Sequence, residues 1–116
     1  FENLGMNYLN KISQELTTVF DTQILFIKCD IEIFTVEEVC GLKGNCFDFS
    51  STISASLKVS KLDIDILDWI VEWHKSTSSG SNRWNKAELT VYKDGKYEVK
   101  TWWDSEFQIS LYGEDN

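Results

Sequence analysis

Residues 84–104 read WNKAELTVYKDGKYEVKTWWD, and the register of this stretch decides the fold. Ala87, Leu89 and Val91 alternate with Glu88, Thr90 and Tyr92; beyond a break, Tyr97, Val99, Thr101 and Trp103 alternate with Lys96, Glu98, Lys100 and Trp102. A period of two marks strands buried on one face. A two-residue turn on Asp94-Gly95 would set Val91 against Glu98 and Leu89 against Lys100, mixing apolar and charged side chains on one face. A three-residue loop, Lys93-Asp94-Gly95, with Gly95 left-handed in a G1 bulge, instead sets Val91 against Tyr97 and Leu89 against Val99. The pattern therefore predicts a three-residue hairpin with one apolar face. Its opposite face carries Tyr92, Trp102 and Trp84 among Glu88, Glu98, Lys96 and Lys100. Aromatics in that company need either cover from elsewhere in the chain or a bound partner.

Upstream, Ser60 offers an N-cap and Asp63 a first-turn acid for a helix running to about Lys75, followed by a flexible Ser76 to Asn82 linker. Leu62, Ile66, Trp69, Ile70 and Trp73 centre a wide apolar arc that Ile64, Leu67 and Val71 extend, so the helix is expected to be mostly buried. Asp65, Asp68 and Glu72 fill the remaining strip. Such a strip is ordinarily a solvated face; the other reading is a contact for a basic partner. Trp69, Trp73 and His74 read as core or boundary residues.

Nearer the start, Leu9, Ile12, Leu16, Val19 and Phe20 recur at helical steps between Asn7 and Phe20. Thr22 to Phe34 follows as a long strand in which Leu25, Ile27, Cys29, Ile31 and Ile33 alternate with Lys28, Asp30 and Glu32, the pattern of a central strand. Between Thr35 and Ser60 a strand pair is expected, turning through Leu42 to Asn45 at Gly44-Asn45. After the hairpin, Phe107, Ile109 and Leu111 alternate with Gln108, Ser110 and Tyr112, suggesting a final edge strand before a frayed Gly-Glu-Asp-Asn tail. The predicted fold is α+β, an antiparallel sheet with helices packed on it in the order α-β-β(-β)-α-β-β. One domain over residues 6–116 is expected, with residues 1–5 resembling the remnant of an engineered protease-site linker.

With 11 basic and 19 acidic residues the chain carries a net charge of −8, which argues against a surface that grips phosphate and favours a basic macromolecular partner. There is no apolar run long enough for a membrane span and no signal peptide, so cytoplasmic residence is expected. Cys29, Cys40 and Cys46 are odd in number and widely spaced, which reads as thiols in a reducing compartment, although Cys40 and Cys46 could face each other across a short hairpin. Together with His74 they lack paired-ligand spacing, so neither metal nor cofactor is expected. No phosphate loop, nucleophile motif or metalloprotease motif is present. The chain reads as a binding protein, not an enzyme.

The hairpin, with its Trp ahead of an alternating strand, its Gly95-Lys96-Tyr97 turn and its Trp102-Trp103-Asp104 ending, resembles the YezG-like immunity proteins of bacterial toxin systems, as does the order of elements before it. The resemblance is carried by residues 84–104, 21 of 116. It implies a cognate immunity protein that binds a toxin domain, commonly a nuclease, and blocks its active site or substrate groove, remaining a monomer or weak dimer when free. The residues expected to make that contact are Trp102, Tyr92, Trp84, Glu88, Glu98 and Asp104 on the hairpin and Asp65, Asp68 and Glu72 on the second helix. The alternative is an acidic type III-like secretion chaperone, a stable dimer holding an unfolded effector segment.

Overall fold

The computed structural model describes residues 4–115, with side chains from residue 7 onward. Helix α1 (Leu4–Thr17) leads into three strands, β1 (Phe26–Phe34), β2 (Val39–Phe47) and β3 (Ile53–Ser56). Helix α2 (Ile66–Thr77), the hairpin β4 (Lys86–Tyr92) and β5 (Tyr97–Trp102), and helix α3 (Ser105–Tyr112) complete an α+β fold. Phe1–Asn3 lie outside the described residues, while Leu4 and Gly5 begin α1. The five strands form one antiparallel sheet in the order β3-β2-β1-β4-β5. Strand β1 is central, as its alternation predicted. No described helix is long and apolar enough to cross a membrane.

The inner phase of β1, Ile27, Cys29, Ile31 and Ile33, is buried, and Ala87, Leu89 and Val91 of β4 lie beside it. Leu9, Ile12 and Leu16 of α1 and Ile66, Ile70 and Trp73 of α2 close over the same face, the two helices packing on each other. Each such aliphatic side chain contributes on the order of 1.5–3 kcal/mol through removal from water. Glu15 of α1 adds a polar tie, its carboxylate accepting the Asp63 N–H at 2.8 Å just ahead of α2.

The hairpin has the predicted register, with Val91 opposite Tyr97 and Leu89 opposite Val99. Gly95 sits at φ +91° and donates its N–H to the Tyr92 carbonyl, and Tyr92 donates to Lys96: a type I turn followed by a G1 bulge. On β5, however, only Tyr97 is half-buried and the other five residues are exposed, because the helical layer stops over β4.

Five expectations are corrected. Gly44-Asn45 is not a turn: β2 runs straight through it, and the chain reverses at 35–38 and 48–52. A Cβ on Gly44 would meet the Lys28 carbonyl oxygen at 2.7 Å and Leu57 Cδ2 at 3.2 Å, so the glycine serves close approach within the sheet. Cys40 and Cys46 therefore share one strand and cannot pair across a hairpin. Next, Val59–Lys61 forms a short 3-10 turn and α2 begins only at Ile66; Ile64, 89% exposed, lies outside the helix it was expected to extend. Residues 105–112 are helix, not strand, since Asp104 caps them through the Phe107 N–H and Gly113 ends them at φ +79°. Finally, the tail is held as far as Asp115, whose carboxylate accepts from Trp103 Nε1 and Ser105 Oγ and lies 3.9 Å from Arg83.

Two outcomes follow from this packing. Gly44→Ala is expected to cost about 1–3 kcal/mol, read as a lowered urea midpoint, because its methyl group meets backbone oxygen and not a yielding side-chain tip. Burial pushes the Cys29 thiol up to about 12 and that of Cys40 up to about 11, with neighbouring Asp30 and Asp68 adding to each, and it raises Cys46 as well. Native protein at pH 8 should accordingly label slowly with a thiolate-directed reagent, while unfolded protein should take up three equivalents at once.

Candidate functional site

The two faces of β1 set up the site. Its outer phase is Phe26, Lys28, Asp30, Glu32 and Phe34, a polar run with an aromatic at each end. At one end Phe34 is covered by α3, with the Phe107 ring 5.9 Å away and Lys86 Nζ 4.5 Å above that ring. At the other end no described helix covers the sheet. There Phe26 stands opposite Phe47 on one side and Tyr92 on the other, forming an aromatic row across β2, β1 and β4. Phe26 and Phe47 are stacked at 4.7 Å and 9°, and Tyr92 is tilted against Phe26 at 6.1 Å. Phe49, 63% exposed in the neighbouring turn, lies with its ring 5.8 Å from Lys93 Nζ at this same end of the sheet.

Of the hairpin candidates, Tyr92, Glu88 and Glu98 come together on this face. The Tyr92 hydroxyl donates to Glu98 Oε1 at 2.8 Å, and the phenol is raised above its ordinary pKa chiefly by that hydrogen bond. Both residues line a shallow depression of about 250 Å³ whose walls also include Phe26, Lys28, Glu88 and Lys100. Trp102 is on the same face, 43% exposed, but at the α3 end beside Lys86. The aromatic row and Glu88 are half-buried and Glu98 is exposed, a set that can hold an extended surface of a partner.

Two hairpin candidates belong to the framework instead. Trp84 is buried at 1% exposure, its ring 4.6 Å from Trp73 and edge-on to His74 at 4.8 Å. Its indole N–H donates to Thr77 Oγ1, its backbone N–H donates to Ser78 Oγ, and its carbonyl accepts from His74 Nε2 at 2.8 Å. These bonds close the 77–84 segment against α2, so the expected flexible linker is an anchored loop. Burial lowers the His74 pKa and Lys75 lowers it further, outweighing the Trp84 hydrogen bond and favouring the neutral ring. Asp104, likewise, caps α3: its Oδ1 accepts the Phe107 N–H at 3.0 Å and its Oδ2 lies 3.5 Å from Lys86 Nζ.

The helix candidates Asp65, Asp68 and Glu72 are exposed, as expected of that strip, but α2 sits on the inner face of the sheet. They are thus on the far side of the protein from Tyr92 and Glu98, and the nine predicted residues do not form one surface. Asp68 and Glu72 border a second depression with Glu38 and Lys75, which are paired at 2.9 Å. Phe26, Phe47 and Phe49 were not singled out from the sequence. The signal was present for Phe26, which occupies the polar phase of its strand, where an aromatic needs a neighbour or a ligand just as Tyr92 does.

Searches for known relatives find no matching family model and no matching curated protein. The YezG-like resemblance thus rests on the hairpin residues and the order of elements before them.

The cap residue yields a pH-dependent outcome. The Phe107 N–H, together with Lys86, holds the Asp104 carboxyl below its ordinary range, so its contribution is present above the unfolded-state pKa of about 3.9 and is lost as pH falls through the lower folded value. Asp104→Ala should lower the melting temperature at pH 7, and the gap from wild type should narrow as the buffer is taken below about pH 4.

Proposed function

We propose that this protein is an immunity-like inhibitor that binds a basic toxin domain, of the nuclease kind, on the outer face of its sheet. The observation that carries the reading is the half-buried Phe47–Phe26–Tyr92 row, over which no described helix lies, with Glu98 and Glu88 beside it. Aromatic anchors supply most of the energy of a protein contact when a partner desolvates them, and acids around them choose a basic partner. A nuclease carries a basic groove because it must hold phosphates. At a net charge of −8 the inhibitor is steered toward such a groove and presents carboxylates where phosphates would lie. The binding is to protein and not to nucleic acid, and it takes place in the cytoplasm of the cell that is protected.

Among the predicted contacts, Tyr92, Glu98, Glu88 and Trp102 keep their role in this proposal, joined by Phe26 and Phe47. Trp84 and Asp104 leave it, because both are engaged in holding the fold. The α2 strip of Asp65, Asp68 and Glu72 is the competing surface, since it is acidic but has no comparable aromatic row.

Co-expression against a panel of basic nuclease toxin domains should restore growth for a cognate member. With that domain, Tyr92→Ala is expected to raise the dissociation constant by about 30-fold, the scale of a ~2 kcal/mol anchor, while the far-ultraviolet spectrum is unchanged. Glu98→Lys should chiefly slow association and flatten its salt dependence. Wild-type affinity for Tyr92→Ala combined with loss of binding for Asp68→Lys would move the contact to α2 and overturn the outer-face reading.

A further inference from the structure

The sheet has two edges, and they are treated differently. The β3 edge is four residues long, and its pairing with β2 shifts register at Cys46 and Phe47, which blunts it as a template for another strand. The β5 edge is six residues, regular throughout, and contains no proline. Its hydrogen-bonding phase follows from the turn. Tyr92 donates to Lys96, so Lys96, Glu98 and Lys100 point their backbone groups toward β4, while Tyr97, Val99 and Thr101 point theirs away from the sheet. Val99 is also 38% exposed on the inner face, beyond the reach of the helical layer. At one end of the strand Tyr97 is tied to α1 through Asn10, and at the other the 80–83 loop lines a depression with Thr101, Trp102 and Trp103, leaving Val99 between them.

We propose that this edge pairs with the same edge of a second copy of the chain, antiparallel about Val99, to give a two-fold dimer with a continuous ten-stranded sheet. The charges on the strand select that occupant. With Val99 opposite Val99 of the second copy, Glu98 falls opposite Lys100 and Lys100 opposite Glu98, so the two ion pairs form by symmetry. The same register sets Tyr97 against Thr101, and Lys96 against the half-exposed ring of Trp102, where an ammonium can lie over the indole. It also uses the outward backbone groups, since Val99 to Val99 and Tyr97 to Thr101 are the hydrogen-bonded pairs. Lys100 has no ion pair within 4 Å among the described residues, and this pairing supplies one. A shift of the centre by one residue, to Lys100, would set Lys100 against itself and leave the outward groups out of phase.

A seam of this length is small, so the association is weak, with a dissociation constant on the order of 10–1,000 µM. Sedimentation equilibrium of the wild-type protein alone should show the mass rising toward twice the monomer value over that range. Val99→Pro removes an N–H that β4 does not use, so it should leave the circular dichroism of the fold intact and hold the protein monomeric. Glu98→Lys and Lys100→Glu should each weaken self-association by about tenfold or more, because each sets like charges opposite one another. Mixed in equal amounts, those two variants should form a heterodimer at least as readily as wild type does with itself, since every pair is again of opposite sign. A wild-type mass that stays monomeric across the range would overturn the proposal. So would a folded Val99→Pro protein that associates like wild type, or failure of the two charge variants to associate on mixing. None of these readouts contains a toxin, so their outcome is independent of the partner proposed for the outer face.

Discussion

The chain has enough apolar helix to dry one face of its sheet and not two. Strand β1 must satisfy a ladder on both sides, to β2 and to β4, while its side chains divide between the faces by strict alternation. Ile27, Cys29, Ile31 and Ile33 therefore commit one phase to the core under α1 and α2, and Phe26, Lys28, Asp30, Glu32 and Phe34 are forced to the other. A one-residue slip would exchange the phases and bury three charges. The open outer face, on which the partner-binding proposal stands, is thus the direct consequence of how β1 is used.

What cover the outer face does receive comes from a buried polar junction. Asn85, fully buried at the start of β4, accepts the Asp104 N–H at 2.7 Å through its side-chain oxygen and donates through its amide to the Asp104 carbonyl and to Gln108 Oε1. Gln108, also buried, donates to Thr35 Oγ1. The Asn85 backbone meanwhile bonds Ile33 on one side and Trp102 on the other. One asparagine thus joins β1, β4, the end of β5 and the cap of α3, and in doing so places Phe107 over Phe34. A satisfied buried amide fixes direction in a way that apolar packing alone does not, because leaving one of its groups unmet costs about 1–3 kcal/mol.

This junction also explains where the sequence was readable and where it was not. The hairpin register, the central β1 and the apolar stripe of α1 were legible because each is a local pattern that burial then enforces: Val91 against Tyr97, Ile27 to Ile33, and Leu9, Ile12 and Leu16. Residues 105–112 were not, since the alternation of Phe107, Ile109 and Leu111 imitates a strand, whereas Ile109 and Leu111 are in fact 49% and 40% exposed. The Asp104 cap and Gly113 were the better signals, and the buried residue is Gln108, which no hydrophobic period marks. Gly44-Asn45 misled for a similar reason. A glycine can mark a turn or a close approach, and only Lys28 and Leu57, both distant in sequence, decide between them. Of the candidate site, Tyr92, Glu88 and Glu98 were readable from the hairpin, but Trp84 was not, because its burial depends on Trp73, His74 and Thr77 of another element.

Glu98 is the residue at which the two proposed surfaces meet. On the outer face its carboxylate accepts from Tyr92, and on the β5 edge it would lie opposite a lysine of the second copy. The two uses are compatible in geometry, since a strand pairs within the plane of the sheet while a partner on the aromatic row approaches along its normal. A two-fold axis through Val99 runs perpendicular to that plane, so both copies would turn their Phe47–Phe26–Tyr92 rows to the same side. The lysine would then neutralise part of the acidic rim at the seam, next to Tyr92 on β4, while Phe26 and Phe47 lie two and three strands in from the β5 edge. Self-association would therefore alter steering toward a basic partner more than the contact energy at the anchors, because rim charge governs approach and buried aromatic area governs residence.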